Sequence, residues 1–393
     1  MKILLKGFLI FMAMLQSCNE APWLSGNVQM DEEGGRKPMI YVVRPQKLSD
    51  IGQSFVGQIL DSTEVDANGN FQFESALPYK EPTLLQLVIQ KQGEKYPNKL
   101  SNENPETDNY VPLIYVPGTT IVFNADASKF QGSFGFENPS EPNKALMQLR
   151  DIRSEGYSQL QKQLKTLSGD ENLLEREKAV HEYQSKIMEF ANTTDDVLPS
   201  LMAFRWVNVS GDYERIPEFV SEMSEKWNTS NSDNEWVKEL TSMADKSKLP
   251  ILIGDKVPEL LFPMQNGGQL SLKDLLTENK LVLLDVWASW CAPCRVENRN
   301  VLVPLWEKYH NKGFQIMAYG LESSDKAWNN AIEKDGAQRW LHASHLTGDQ
   351  NPCMDALRIR TIPANFLLDA NGNVLAKNLH AGELTQFVEQ YFN

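Results

Sequence analysis

Cysteine is scarce in this chain, with four in 393 residues, and so few cannot staple a protein of this size into a disulfide framework. Long apolar runs are missing too. Beyond the first residues nothing approaches the roughly 18 consecutive apolar residues of a membrane helix, so the mature chain is expected to be water-soluble apart from any anchor. Positive charge is also in short supply: Lys and Arg total 38 against 52 Asp and Glu, a net charge of −14. That balance opposes a polyanion, and no nucleic-acid partner is expected. There is no internal repeat and no low-complexity tract. The length exceeds what one hydrophobic core normally serves, which points to two or three folding units and a multidomain chain.

The N-terminus carries an export pattern. Lys2 and Lys6 flank an apolar run from Gly7 to Leu15, of h-region length and too short to span a bilayer. Leu15-Gln16-Ser17-Cys18 resembles the lipobox of bacterial lipoproteins, although Gln before the small residue is less usual there. The resemblance implies a signal peptide over residues 1–17, a lipid on Cys18 and a protein anchored to a cell-envelope membrane on the periplasmic side. An ordinary secretory signal with an incidental cysteine is the alternative.

Three compositional regions follow. Residues 18–136 read as a β-sandwich-like domain. Thr63, Val65, Phe71 and Phe73 alternate with polar residues on either side of Asn68-Gly69, the dipeptide of a type I′ hairpin. Thr83 to Ile89, Leu113 to Val116 and Thr119 to Phe123 add strands, and the polar stretch Lys95 to Asn109 reads as a long exposed loop. This region resembles a β module of unknown function that precedes thioredoxin domains in some bacterial lipoproteins. Residues 137–250 switch to helical periodicity, with Leu160, Leu164 and Leu167, then Val180, Tyr183, Ile187 and Phe190, at three- and four-residue steps. They are read as core stripes of a helical connector. Residues 251–393 alternate strand and helix, the signature of an α/β domain. Leu281 to Trp287 is an apolar strand carrying one acid, Asp285; Cys294 to Tyr309 suits a helix that Pro304 should kink.

Trp290-Cys291-Ala292-Pro293-Cys294 lies between that strand and that helix. Two intervening residues bring both sulfurs within disulfide reach, and the helix N-terminus favours a thiolate at Cys291. Cys291 is therefore expected to attack, and Cys294, further into the helix, to resolve the mixed disulfide. Asp285 should be costly to ionise on its strand, which raises its pKa and suits it to accept the resolving thiol's proton; a charge at a strand end is the plain alternative. Glu297 is expected to be the more exposed acid, on the dithiol helix. Cys353 reads as a buried cysteine acting as a small hydrophobe.

Over Ile251 to Asn393 the chain resembles the thioredoxin superfamily, and more closely its periplasmic TlpA/ResA-like branch. The resemblance rests on Trp-Cys-x-Pro-Cys, on Asp285 six residues before the first cysteine, on Ile362-Pro363 and on Asp369-Ala370-Asn371-Gly372. Glu297, three residues after Cys294, matches the active-site glutamate of the ResA-like branch, whose strand position is not acidic in ResA itself. It implies a thioredoxin-like fold, a redox-active Cys291–Cys294 disulfide, catalytic roles for Asp285 and Glu297, and a cis peptide at Pro363. Trp290, Pro293, Ile362 and Pro363 would then face substrate, the backbone beside Pro363 pairing with a substrate strand. Ala364 stands where Thr is common. The activity implied is thiol-disulfide exchange with protein partners, in the reductive direction, fed by a membrane electron donor, with no cofactor or metal.

Three other readings compete. Cys291, Cys294, His342 and His345 are four potential metal ligands, but the histidines lie far along a chain with a complete redox motif. A thiol peroxidase of the same fold would need Pro at Leu284 and Thr at Ala288. A lipoprotein whose front domains bind a protein or glycan, with the C-terminal domain as scaffold, leaves the intact dithiol motif unexplained.

Overall fold

Alternating β-branched and aromatic residues build strands wherever one face can be buried, and in the first third of the chain they build two sheets. The computed structural model describes residues 21–30, 35–101, 104–169, 172–348 and 350–393; the signal peptide expected over residues 1–17 and the lipid site expected at Cys18 lie outside them. One four-stranded sheet runs in the order Asn70–Phe73, Leu24–Gln29, Ile121–Asp126, Gly135–Glu137, and the other in the order Gln58–Glu64, Arg36–Arg44, Thr83–Lys91, Tyr110–Tyr115.

The Asn68-Gly69 turn does not close a hairpin. Thr63 pairs with Ile40 in one sheet while Phe71 pairs with Gly26 in the other, so the turn carries the chain between sheets. Nor is it type I′, which needs two positive φ angles; of the pair only Gly69 has one, at +86°. The carboxylate of Asp66 accepts the N–H groups of Asn68 and Asn70, both at 2.8 Å. This side-chain bonding fixes the turn. A Cβ at Gly69 would lie 2.6 Å from the Val28 carbonyl, so the close approach also demands glycine.

The loop from Lys95 to Asn109 is likewise less exposed than its composition suggests. Asp108 and Asn109 are fully buried. The Asn109 amide donates to the carbonyls of Ile89 (3.0 Å) and Lys99 (3.1 Å) and accepts from Ser101 N–H (3.0 Å), which pins the loop to the strand before it.

Helices Glu141–Leu164, Leu173–Thr193, Val197–Val207, Pro217–Asn231 and Glu235–Met243 follow. Their stripes are shorter than the periodicity predicts: Ile187 and Phe190 are buried, whereas Val180 is exposed. Asn143 both donates to the Ile114 carbonyl (2.8 Å) and accepts its N–H (2.9 Å), acting as an extra strand partner. Trp206 Nε1 donates to Tyr110 Oη at 3.0 Å, and the Arg153 guanidinium lies 4.5 Å from the Trp206 ring centre. Most buried apolar side chains between Trp23 and Leu252 accordingly form one cluster spanning strands and helices.

A second cluster begins at Ile251. It surrounds a five-stranded sheet in the order Leu341–Ala343, Phe314–Gly320, Leu281–Trp287, Ala364–Asp369, Val374–Lys377. The first three strands are parallel and the last two antiparallel to their neighbours. Leu281–Trp287 is buried throughout, as an uninterrupted apolar strand at the centre of a covered sheet should be. The Pro304 kink takes the form of a π turn. Helix Ala292–Glu297 passes through π-helical Asn298–Leu302 into Val303–Tyr309, because Pro304 has no N–H and its ring would strike the Asn300 carbonyl in an unbroken α-helix. Phe392 of the last helix, Ala381–Phe392, stacks on Tyr309 at 5.5 Å between ring centres.

Candidate active site

The central strand delivers the chain to Trp290 and the dithiol. Cys291 is the N-cap of helix Ala292–Glu297, and its sulfur accepts the N–H of Cys294 at 3.4 Å. The two cysteines form a disulfide with Cα atoms 5.3 Å apart. Cys291 is 5% and Cys294 3% exposed, whereas the neighbouring Trp290 is 66% exposed. A large aromatic at that exposure has apolar area available to a partner. Pro293 is buried, Ile362 half-buried and Pro363 buried, and the Ile362–Pro363 bond is cis.

Asp285 is buried on the central strand, in register with Asn365 on the next. Burial pushes its carboxyl well above the ordinary carboxylate range, and the charge of Glu297 adds to the rise. Glu297 is not the exposed acid that its helix position suggests. It is as buried as Asp285, at 4% each, because the chain before the last helix folds over it. Its carboxylate accepts the Ala381 N–H at 3.1 Å and pairs with His380 Nδ1 at 2.9 Å. Burial therefore does not separate the two acids; their partners do.

Two further acids, Glu322 and Asp335, brace the site from far along the chain. Glu322, 2% exposed, accepts the Ser289 N–H and, at 2.9 Å, the Ser289 hydroxyl. Burial raises its pKa despite those bonds. Asp335 takes Arg295 at 2.8 Å and Arg299 at 2.6 Å, while Arg295 also donates to the Ser289 carbonyl at 3.1 Å. The dithiol loop is thus held by residues more than thirty positions downstream. Arg295 and Arg299, one helical turn apart, were the sole hint that an acid would face that helix.

Cys353 lies in helix Pro352–Leu357 with Asn351 as its cap. It is a free, buried thiol whose pKa burial pushes up to about 12, as expected of a packing cysteine. His342 does not join the dithiol. Its ring sits among Trp287, Trp328 and Trp340, Nε2 bonds the Ala337 carbonyl at 2.8 Å, and burial lowers its pKa to about 4.

Known proteins share this part of the chain. Residues 252–390 match the Redoxin family. Thiol-disulfide oxidoreductase ResA of Bacillus thuringiensis is 29% identical over 143 residues, covering 36% of this chain and 76% of that protein. Thiol:disulfide interchange protein DsbE of Escherichia coli is 34% identical over 141 residues, covering 34% of this chain and 67% of that protein. A solved thioredoxin domain of a thiol-disulfide oxidoreductase from Bacteroides vulgatus is 27% identical, with a TM-score of 0.34, and covers 36% of this chain and 99% of that one. Through its C-terminal region the chain belongs to the redoxin family of thioredoxin-like thiol-disulfide oxidoreductases that includes ResA and DsbE.

Proposed function

We propose that the protein reduces disulfides in other proteins on the periplasmic side of a cell-envelope membrane, tethered there by a lipid on Cys18. The observation that carries the chemistry is Cys291 at a helix N-cap, receiving the Cys294 N–H beside an exposed tryptophan. In the reduced form the Cys291 thiolate attacks a substrate sulfur. The substrate S–S bond breaks, one substrate thiolate leaves, and a mixed disulfide forms at Cys291. Cys294 then loses its proton and attacks the Cys291 sulfur, releasing the second substrate thiolate and leaving the Cys291–Cys294 disulfide. Two electrons have passed to the substrate, and a membrane dithiol donor returns them.

Asp285 is the proton acceptor for Cys294 in this scheme. Its raised pKa brings it toward that of a thiol, which is where proton transfer is efficient. Glu297, fixed by Ala381 and His380, raises the Asp285 pKa further by its charge. Trp290, Pro293, Ile362 and Pro363 supply the face on which a substrate strand lies. The organisation proposed with this function is a β-sandwich over 18–136, a helical connector over 137–250 and the redox domain over 251–393. Among the described residues no helix is long and apolar enough to cross a membrane; the tether in this proposal is the lipid on Cys18.

The test is insulin reduction by the full-length protein. Cys294→Ser should accumulate mixed disulfides at Cys291, detectable by mass spectrometry, and Cys18→Ala should release the protein from membranes. Turnover at the wild-type rate in Cys291→Ser would overturn the assignment of the nucleophile.

A further inference from the structure

The loop that ends in cis-Pro363 is held from outside the redoxin region. Between helices Val197–Val207 and Pro217–Asn231 the chain makes a turn anchored by Tyr213 and Ile216, which belong to the front core. Tyr213 stacks on Phe204 at 4.7 Å and its hydroxyl accepts from Arg205 at 3.0 Å. The two residues between these anchors face the other way. Glu214 accepts the N–H groups of Arg360 (2.9 Å) and Thr361 (3.0 Å), the Thr361 hydroxyl (2.6 Å) and Arg360 Nε (3.1 Å). Arg215 donates to the carbonyl of Pro363 itself, at 3.0 Å, and Glu177 of helix Leu173–Thr193 stands 3.8 Å from its guanidinium.

We infer that Glu214 and Arg215 are positioning residues for the redox reaction: they fix residues 360–363, so the substrate-facing loop is built jointly by the helical region and the redoxin region. The inference rests on the substrate role proposed above for Ile362 and Pro363. The geometry is specific. Four bonds converge on one carboxylate that is itself buried, and charge-assisted bonds of this kind are about twice as strong as neutral ones. Burial alone would raise the Glu214 pKa, yet the bonds from Thr361 and Arg360 hold it below the ordinary value, so the carboxylate is the form the loop is built around. On the other side, Lys377 pairs with Glu218 at 2.7 Å and Glu218 accepts the Ile253 N–H at 3.1 Å. These contacts seat the turn against the sheet on which the loop depends.

A loop that is loosened but still present should bind a substrate strand less well while the dithiol chemistry continues, because ordering the backbone then falls to the substrate. The experiment is steady-state reduction of insulin by the full-length protein with dithiothreitol as electron source, alongside thermal unfolding. Glu214→Ala and Arg215→Ala should each raise KM for insulin about fivefold, with kcat within about twofold, as expected for the loss of hydrogen bonds worth that much in binding. Glu214→Gln keeps an acceptor oxygen and should restore most of the loss. An unchanged KM in both alanine variants, or a fall in kcat without a rise in KM, overturns the inference. If Glu214→Ala does not fold, Arg215→Ala and Thr361→Val, which spare the front core, decide it by the same criterion. Cys291→Ser separates the two levels: if it still reduces insulin at the wild-type rate, the underlying assignment fails, whereas an inactive Cys291→Ser beside clamp variants of wild-type KM removes the clamp alone.

Discussion

Arg153 in the front core and Asp285 in the redox core are both buried, and their surroundings treat their charge in opposite ways. In the front, Arg153 is 4% exposed, but its guanidinium bonds Gln131 and lies over the Trp206 ring. Gln131 in turn donates to the Tyr110 carbonyl at 2.7 Å. The charge is spread into a network that joins strands to helices. In the redox core, Asp285 is equally buried among apolar strand residues, with another acid as its charged neighbour. A buried ion with complementary partners is structural glue, whereas a buried acid beside a like charge holds its proton more tightly than an ordinary carboxyl does. The difference is why the proton-acceptor role is proposed for Asp285 and none for Arg153.

That comparison can be broken most sharply at the dithiol and its acid. Cys291→Ser should eliminate insulin reduction altogether. Asp285→Asn should slow resolution of the mixed disulfide by about 10²–10⁴-fold, the usual contribution of a positioned proton acceptor, while first attack by Cys291 stays near the wild-type rate. Stopped-flow measurement of both steps decides this, and a larger resolution defect in Glu297→Gln would move the acceptor role to Glu297.

The same residue makes a prediction about stability. Because the folded pKa of Asp285 is raised, the folded state binds that proton more tightly than the unfolded state. Stability is therefore lost as pH rises from the ordinary carboxylate value toward the folded one. Asp285→Asn removes that loss, so its Tm should exceed the wild type's at about pH 8 by more than at about pH 4. Equal differences at both would contradict the raised pKa.

Arg153 should behave in the contrary sense. Arg153→Ala strands buried polar partners and should cost about 2–3 kcal/mol in urea unfolding, with kcat for insulin unaltered. Loss of activity in a folded Arg153→Ala protein would show that the front network also serves the site. The smallest effect is expected at exposed Trp290. Trp290→Ala should change stability by less than about 0.5 kcal/mol while raising KM for insulin, and an unchanged KM would remove Trp290 from the substrate face.

Some of this was legible in the residues because the cause is local. Trp290-Cys291-Ala292-Pro293-Cys294 after an apolar strand requires a helix N-terminus at the first sulfur, and Cys291 is the N-cap. The single acid on Leu281–Trp287 had to be buried because the strand around it is. Pro304 had to disturb its helix, and it does so through a π turn. Elsewhere local pattern misled for a physical reason. Asn68-Gly69 looks like a hairpin because a turn dipeptide constrains only its own dihedrals, and partner choice beyond it is set by distant strands: Ile40 takes Thr63 and Gly26 takes Phe71.

The sequence by itself determined the dithiol, its strand-turn-helix setting, the buried Asp285 and the excess of negative charge, since each follows from residues adjacent in the chain. Only the tertiary structure decided that Glu297 is buried under Ala381, that Glu322 and Asp335 brace the dithiol loop, and that Glu214 and Arg215 reach the 360–363 loop. Those contacts join residues from about thirty to almost 150 positions apart, and hydrogen bonding across such separations leaves no periodicity in the chain. Such bonds form when packing, within the redox core for the first three acids and between it and the helical region for Glu214 and Arg215, brings the chain segments together, and the acids and bases there pair because burial makes an unpaired charge costly.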